Sequence, residues 1–297
     1  MDILWKIKRK ILKTLIRHSV NPRPSSYPFI SGDTFRSIAN HIHESGRENP
    51  DGKDRTFNPK KVNYRDIVFV DGAYIENYFK DVHPHITNQY ILITHNNDWN
   101  VTEKELGFID NKIIHWFAQN VLVFHSKVTP IPIGLENAHF ANAGYIPLYS
   151  KLSPQDKKRL PRILAGFNVA SNKKERSAAL ETLSRNLNVD IIKKRLNQNE
   201  YVSLIKKYSF VASPPGNGED CIRTWEAMLF GTIPIVKRSI GIEYFEKLNL
   251  PLFIIDSWDE LNNLSEYDLK SKYDLIMSQA DRRPLYMDYW LNLIKSK

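Results

Sequence analysis

Short apolar runs alternate with amphipathic stretches along most of this chain, in a regular order. Asp66-Ile67-Val68-Phe69-Val70 and Tyr90-Ile91-Leu92-Ile93-Thr94 are rich in β-branched and aromatic residues and bounded by polar turns, the pattern of strands buried on both faces. Ahead of them, Phe29 to Asp33 reads as a short lead-in strand, Thr34 to His43 as a helix, and polar Gly46 to Lys61 as loop. A helix is expected from Asp71-Gly72 through Lys80 and another near Ile113 to Gln119, followed by apolar runs at 121–124 and 128–137. Lys151 to Pro161 is basic and polar, a natural joint. Beyond it the alternation resumes with a strand from Arg162, a helix from Lys174, a strand at Val189 to Ile192 and a helix at Asn199 to Lys207. Strands Phe210 to Ala212, Ile233 to Val236 and Leu252 to Ile255 follow, then C-terminal helices. Such alternation predicts an α/β protein with parallel sheets covered by helices.

Residues 1–20 stand apart. Leu4, Ile7, Ile11 and Leu15 form one helical stripe, and Lys6, Arg9, Lys10, Lys13 and Arg17 lie opposite. The whole chain of 297 residues has a net charge of +9, and this segment contributes +5 of it, six basic residues less Asp2. That is the profile of an interfacial helix on an anionic membrane surface, with docking onto the protein's own body as the alternative. Basic residues elsewhere are dispersed and no recognised module is present, which speaks against nucleic-acid binding. The single cysteine, Cys221, excludes an intramolecular disulfide and suits a reducing compartment, so the expected location is cytoplasmic and peripheral at the inner face of a membrane.

The segment Phe210 to Val236, FVASPPGNGEDCIRTWEAMLFGTIPIV, carries the candidate chemistry. A strand stopped by Pro214-Pro215 leads into Gly216-Asn217-Gly218, where backbone amides can approach a ligand unobstructed. A helix is expected from Glu219 to Gly231, with Cys221, Ile222, Trp225, Met228 and Leu229 on its apolar arc and Glu219, Arg223 and Glu226 opposite. An ordinary surface i,i+4 pair of Glu219 and Arg223 would give the same pattern. A glycine turn at the carboxyl end of a strand is, however, where open α/β sheets take phosphate-bearing ligands.

The string SPPGNGEDCIRTWEAMLFGTIPIV resembles the nucleotide-sugar signature of exostosin-like GT-B glycosyltransferases: S/C-P-x-G, a polar stretch, R, an aromatic-E-A, then G-x-I-P-V/I-V. The resemblance covers about 25 residues. It implies two Rossmann-like domains with the active site in the cleft between them. The expected boundaries are 1–20 for the amphipathic helix, 21–155 for the acceptor domain, 156–275 for the donor domain and 276–297 for a C-terminal helix. It further implies ribose contact by Glu226, phosphate or sugar contact by Arg223, and loop contacts by Gly216, Asn217, Gly218 and Asp220. Asn168 and Lys174, after the first strand of the second series, would lie over the diphosphate.

An inverting transferase also needs a base for the acceptor hydroxyl. His95 and Asp98, just past a buried strand, fit that role, as does Asp33, although Asp before Thr34 is also a natural helix cap. No Asp-x-Asp, cysteine pair or HExxH occurs, so neither a metal nor a cofactor beyond the nucleotide-sugar co-substrate is expected. The function expected is transfer of a sugar from a nucleotide-diphosphate donor to a surface glycan or glycolipid. A non-catalytic carbohydrate- or nucleotide-binding protein of the same fold is the alternative.

Overall fold

The computed structural model describes residues 2–17, 19, 22–46, 49–140, 144, 146–149 and 159–297, and the side chains of all of these except 2–6, 8, 9 and 17. Most of the joint expected at 151–161 lies outside these residues. The chain divides into two compact units, one formed by 1–145 with 286–297 and the other by 146–285.

In the first unit, β1 (His41–His43), β2 (Ile67–Asp71), β3 (Tyr90–His95), β4 (Ile113–Ala118) and β5 (Val128–Pro130) lie side by side in that order. Every pairing is parallel. Val68, Val70, Leu92, Trp116 and Ala118 pack one face of this sheet against Tyr78, Phe79 and Val82. The C-terminal helix Met287–Lys295 belongs to the same unit: the Met287 amide donates to the Pro28 carbonyl at 2.9 Å, and buried Trp290 meets Phe35 edge-on.

Several expectations in this half are corrected. The run Thr34 to His43 is not one helix, because a helix capped by the Ser31 side chain spans only Gly32–Ser37. The chain then joins the sheet, with the Asn40 amide donating to the Ile67 carbonyl, and His41–His43 becomes the edge strand β1. The segment at 113–119 is the strand β4 rather than a helix. It lies between β3 and β5 and is buried on both faces, so its apolar run carries no alternation to betray it. The run 121–124 forms no strand; Val121 makes one isolated bridge to Val101. Between β2 and β3 the expected helix breaks into short α, π and 3-10 turns from Gly72 to His85.

The second unit holds β6 (Leu160–Ala165), β7 (Val189–Ile191), β8 (Tyr208–Ala212), β9 (Ile233–Lys237) and β10 (Phe253–Ile255), in the order β10-β9-β8-β6-β7 and all parallel. Ile163, Phe210, Ile233 and Ile235 pack against Leu183 of the helix Lys173–Arg185 and Leu269 of the helix Glu266–Gln279. The signature helix is shorter than expected. It begins at Ile222 with Cys221 as its N-cap and ends at Leu229, so Glu219 lies in the loop.

Candidate functional site

The order of the second sheet changes direction at one place. From β6 the chain moves outward to β7, whereas from β8 it moves the other way to β9 and β10. Loops leaving the carboxyl ends of two such neighbours diverge, and the crevice between them is where open α/β sheets bind ligands. Here those loops are 166–172 and 213–221, the second being the glycine turn of the signature.

Arg176 ties the two loops together. This buried side chain donates from Nε to the Pro215 carbonyl at 2.9 Å, from Nη1 to the Asn168 carbonyl at 2.8 Å and from Nη2 to the Pro214 carbonyl at 3.2 Å. The Asn172 amide group adds a bond to the Gly216 carbonyl at 3.0 Å. Behind the loop, Asp220 turns inward and accepts from the Trp225 indole at 2.6 Å. Burial pushes the Cys221 thiol up, and it sits protonated against the Pro214 carbonyl at 3.4 Å, a packing residue rather than a nucleophile. At the far end of the helix, Arg282 donates to the Met228 and Leu229 carbonyls and Arg159 to that of Phe230, satisfying acceptors a helix leaves unpaired.

Glu226 is not a solvated residue on an outer stripe; it is 4% exposed. Its Oε1 accepts from the Tyr149 hydroxyl at 2.7 Å and from the Gln198 amide at 2.6 Å. One turn away on the same helix, Arg223 holds its guanidinium carbon 5.9 Å from the centre of the Phe167 ring. Its Nη1 is buried and has no hydrogen-bond partner among the described residues, and the same holds for the Tyr201 hydroxyl. Burial raises the Tyr201 phenol; the Arg223 charge lowers it and that of Glu226 raises it, so these three groups share one neighbourhood. A guanidinium and a phenol hydroxyl beside one carboxylate form a site able to accept an anionic, hydroxyl-rich ligand. Asn168 and Asn217 are exposed on these two loops and Lys174 on the first turn of the helix that follows the first, with Gly216 and Gly218 partly exposed.

In the first unit, Asp33 lies at the centre of a buried polar cluster. Arg23 Nε donates to its Oδ1 at 2.8 Å, and His139 Nδ1 lies 2.8 Å from its Oδ2. Burial alone would push this carboxyl up, but the His139 hydrogen bond and the Arg23 charge outweigh it and hold Asp33 below the ordinary carboxylate range. Arg23 Nη1 and Arg36 Nε both donate to Oε2 of buried Glu44, at 3.1 and 2.7 Å. Asn96, in the left-handed region with φ 65°, reaches toward Asp33 and accepts from Asn137 Nδ2 at 2.8 Å. Gly32 is required here: a Cβ would lie 1.7 Å from Asn96 Oδ1.

The three residues expected to supply a base therefore sit differently. His95 is buried, its Nε2 bonded to the Pro132 carbonyl at 2.9 Å and its Nδ1 accepting the Asn96 amide at 2.6 Å. Desolvation lowers it to about 4, which keeps it neutral. Asp98 is exposed, and Asp33 is enclosed by its partners. His139, Arg23, Tyr149, Gln198 and Tyr201 escaped the sequence reading. Except for Arg23, ten residues from Asp33, each lies well away along the chain from its partner, Asp33 and His139 being 106 residues apart, and no local spacing marks them.

No family model matches this chain, and no curated protein is significantly similar to it. Solved structures give distant likenesses. An α,α-trehalose-phosphate synthase (UDP-forming) from Burkholderia vietnamiensis is 8% identical with a TM-score of 0.45, over 78% of this chain and 75% of that one. The α,α-trehalose 6-phosphate synthase from Burkholderia multivorans is 6% identical with a TM-score of 0.44, over 80% and 72%. TarM is 13% identical with a TM-score of 0.38, over 77% of this chain and 54% of its own length.

Proposed function

We propose that this protein is a GT-B-type glycosyltransferase that moves a sugar from a nucleotide-diphosphate donor to a surface glycan or glycolipid, without a metal ion. The observation that carries the reading is the coincidence of the signature with the topological switch point of the second sheet. There, Arg223 and Tyr201 offer buried donors suited to a diphosphate, and Glu226 offers a carboxylate suited to ribose hydroxyls. Lys174 and Arg223 would offset the charge developing on the leaving diphosphate, the task a metal performs in other transferases. The protein would act at the inner face of a membrane, anchored by its first helix.

Calorimetry across UDP-, GDP-, CMP- and dTDP-sugars tests the donor assignment. One donor class is expected to bind, and Glu226→Gln to weaken it by about 10- to 100-fold, the scale of a charge-assisted hydrogen bond. Turnover should persist in excess EDTA; loss on chelation with recovery on adding manganese would show that a metal neutralises the diphosphate. Equal affinity of wild type and a folded Glu226→Gln protein would remove Glu226 from the site.

A further inference from the structure

We infer that Gln198 and Tyr149 are positioning residues of Glu226, and that the carboxylate they hold makes this site select a ribonucleotide donor over a 2′-deoxyribonucleotide one; this rests on the glycosyl-transfer reading above. Neither residue belongs to the signature. Gln198 opens the helix Gln198–Ile205, whose start is fixed by a reciprocal cap: the Glu200 amide donates to Asn197 Oδ1 at 3.0 Å and the Asn197 amide to Glu200 Oε2 at 2.9 Å. Tyr201 follows one turn later on the same side. Gln198 and Tyr201 thus stand opposite Glu226 and Arg223, a pair with the same spacing of three on the signature helix. Tyr149 arrives from another segment of the same unit. Its amide donates to the Ile146 carbonyl at 2.9 Å, closing the turn Ile146–Leu148. Its buried ring stacks on Phe230 at 5.4 Å, and its hydroxyl reaches Glu226, four residues before Phe230 in the chain.

Both donors meet the same oxygen, Glu226 Oε1, from separate parts of the unit. Charge-assisted bonds of this kind are short and directional, and a carboxyl group held at one oxygen by two of them cannot turn without breaking both. The ligand is then met, in one fixed direction, by the lone pairs that these donors do not use. The ribose of a nucleotide offers two neighbouring donors to such a carboxylate, its 2′- and 3′-hydroxyls. A 2′-deoxyribose forfeits one of them, and a site built to hydrogen-bond a hydroxyl discriminates strongly against an analogue that lacks it. Glu226 is 4% exposed, so water does not readily fill the gap. Of the diphosphate donors, UDP- and GDP-sugars meet this requirement and dTDP-sugars do not.

Calorimetry on the full chain with UDP, GDP, their 2′-deoxy forms and dTDP tests the assignment. The wild type is expected to bind one of the ribonucleotides at least about tenfold more tightly than its 2′-deoxy form. Gln198→Met keeps the length of the side chain and removes the donor; Tyr149→Phe keeps the ring on Phe230 and removes only the hydroxyl. Each should cut that ratio to about threefold or less, because the carboxylate is no longer held in one direction. Loosened packing alone would weaken both forms alike and leave the ratio as it was. An unchanged ratio in either folded variant therefore overturns the positioning role while leaving the donor reading intact. A wild type with no preference for ribose, or one that binds only dTDP, overturns the selection but not the reading. One that binds none of these nucleotides overturns both.

Discussion

His95 shows how one enclosed side chain sets the response of its unit to acid. Desolvation lowers its folded-state value to about 4, against an ordinary 6.5 once the chain unfolds. Between those limits the unfolded chain binds a proton that the folded protein refuses, so stability rises with pH across the window and falls as the solution is acidified. The full effect is about 3 kcal/mol, reached near pH 4. Burial also lowers His43, His83 and His115, in the same sense. Asp33 acts further down the scale: held below the ordinary carboxylate range, it stabilises the fold above that range and loses its contribution as pH falls through its folded value. Urea unfolding from pH 7 to pH 4 should show a steady loss of stability, and His95→Gln should flatten part of that slope while keeping a donor for the Pro132 carbonyl. An unchanged slope would mean that His95 is protonated in the folded state.

At the scale of elements, the donor loop owes its shape to a helix outside the signature. Arg176 supplies bonds to three loop carbonyls, and Arg176→Met would leave those of Asn168, Pro214 and Pro215 without this donor. Loss of about 2–4 kcal/mol from the second unit is expected, with donor affinity falling roughly tenfold because the glycine turn is no longer fixed. Gly216→Ala should act in the same direction, since the new Cβ meets Arg176 Nη2 at 2.9 Å and would push away the donor that holds the Pro214 carbonyl. Chemical denaturation beside donor calorimetry separates the two effects, and wild-type affinity in a folded Arg176→Met protein would show that the loop holds itself. The same elements show what could be read in the chain. β8, the glycine turn and β9 were legible because proline and glycine punctuate apolar runs there. β4 was not, since a strand buried on both faces carries no period of two and resembles a helix segment. The Asp33–His139 pair was invisible for a different reason: tertiary contact, not spacing, brings these residues together.

For the molecule as a whole, charge and apolar surface concentrate at the amino terminus. A helix spans Asp2–Arg17, and along it Ile7, Ile11 and Leu15 are 50%, 54% and 65% exposed, four residues apart on one side. Lys10 and Lys13 are exposed on the same helix, whose backbone passes beside the turn Ala138–Phe140. Among the described residues no helix is long and apolar enough to cross a membrane, so any attachment through this one would lie along the surface. Burying three such side chains at an interface contributes about 1.5–3 kcal/mol each at most, and each nearby cation adds about 1 kcal/mol at an anionic surface. Neither contribution alone makes a firm anchor; together they reach useful affinity only on anionic lipid. Vesicles containing phosphatidylglycerol should therefore bind the protein, neutral phosphatidylcholine vesicles should bind it poorly, and high salt should release part of it. The triple variant Ile7→Asp, Ile11→Asp, Leu15→Asp should abolish sedimentation with vesicles and leave the melting temperature unchanged, because these side chains are already exposed in the folded protein. A fall in melting temperature would instead assign the stripe to the protein's own packing, and undiminished vesicle binding would move the anchor to another surface.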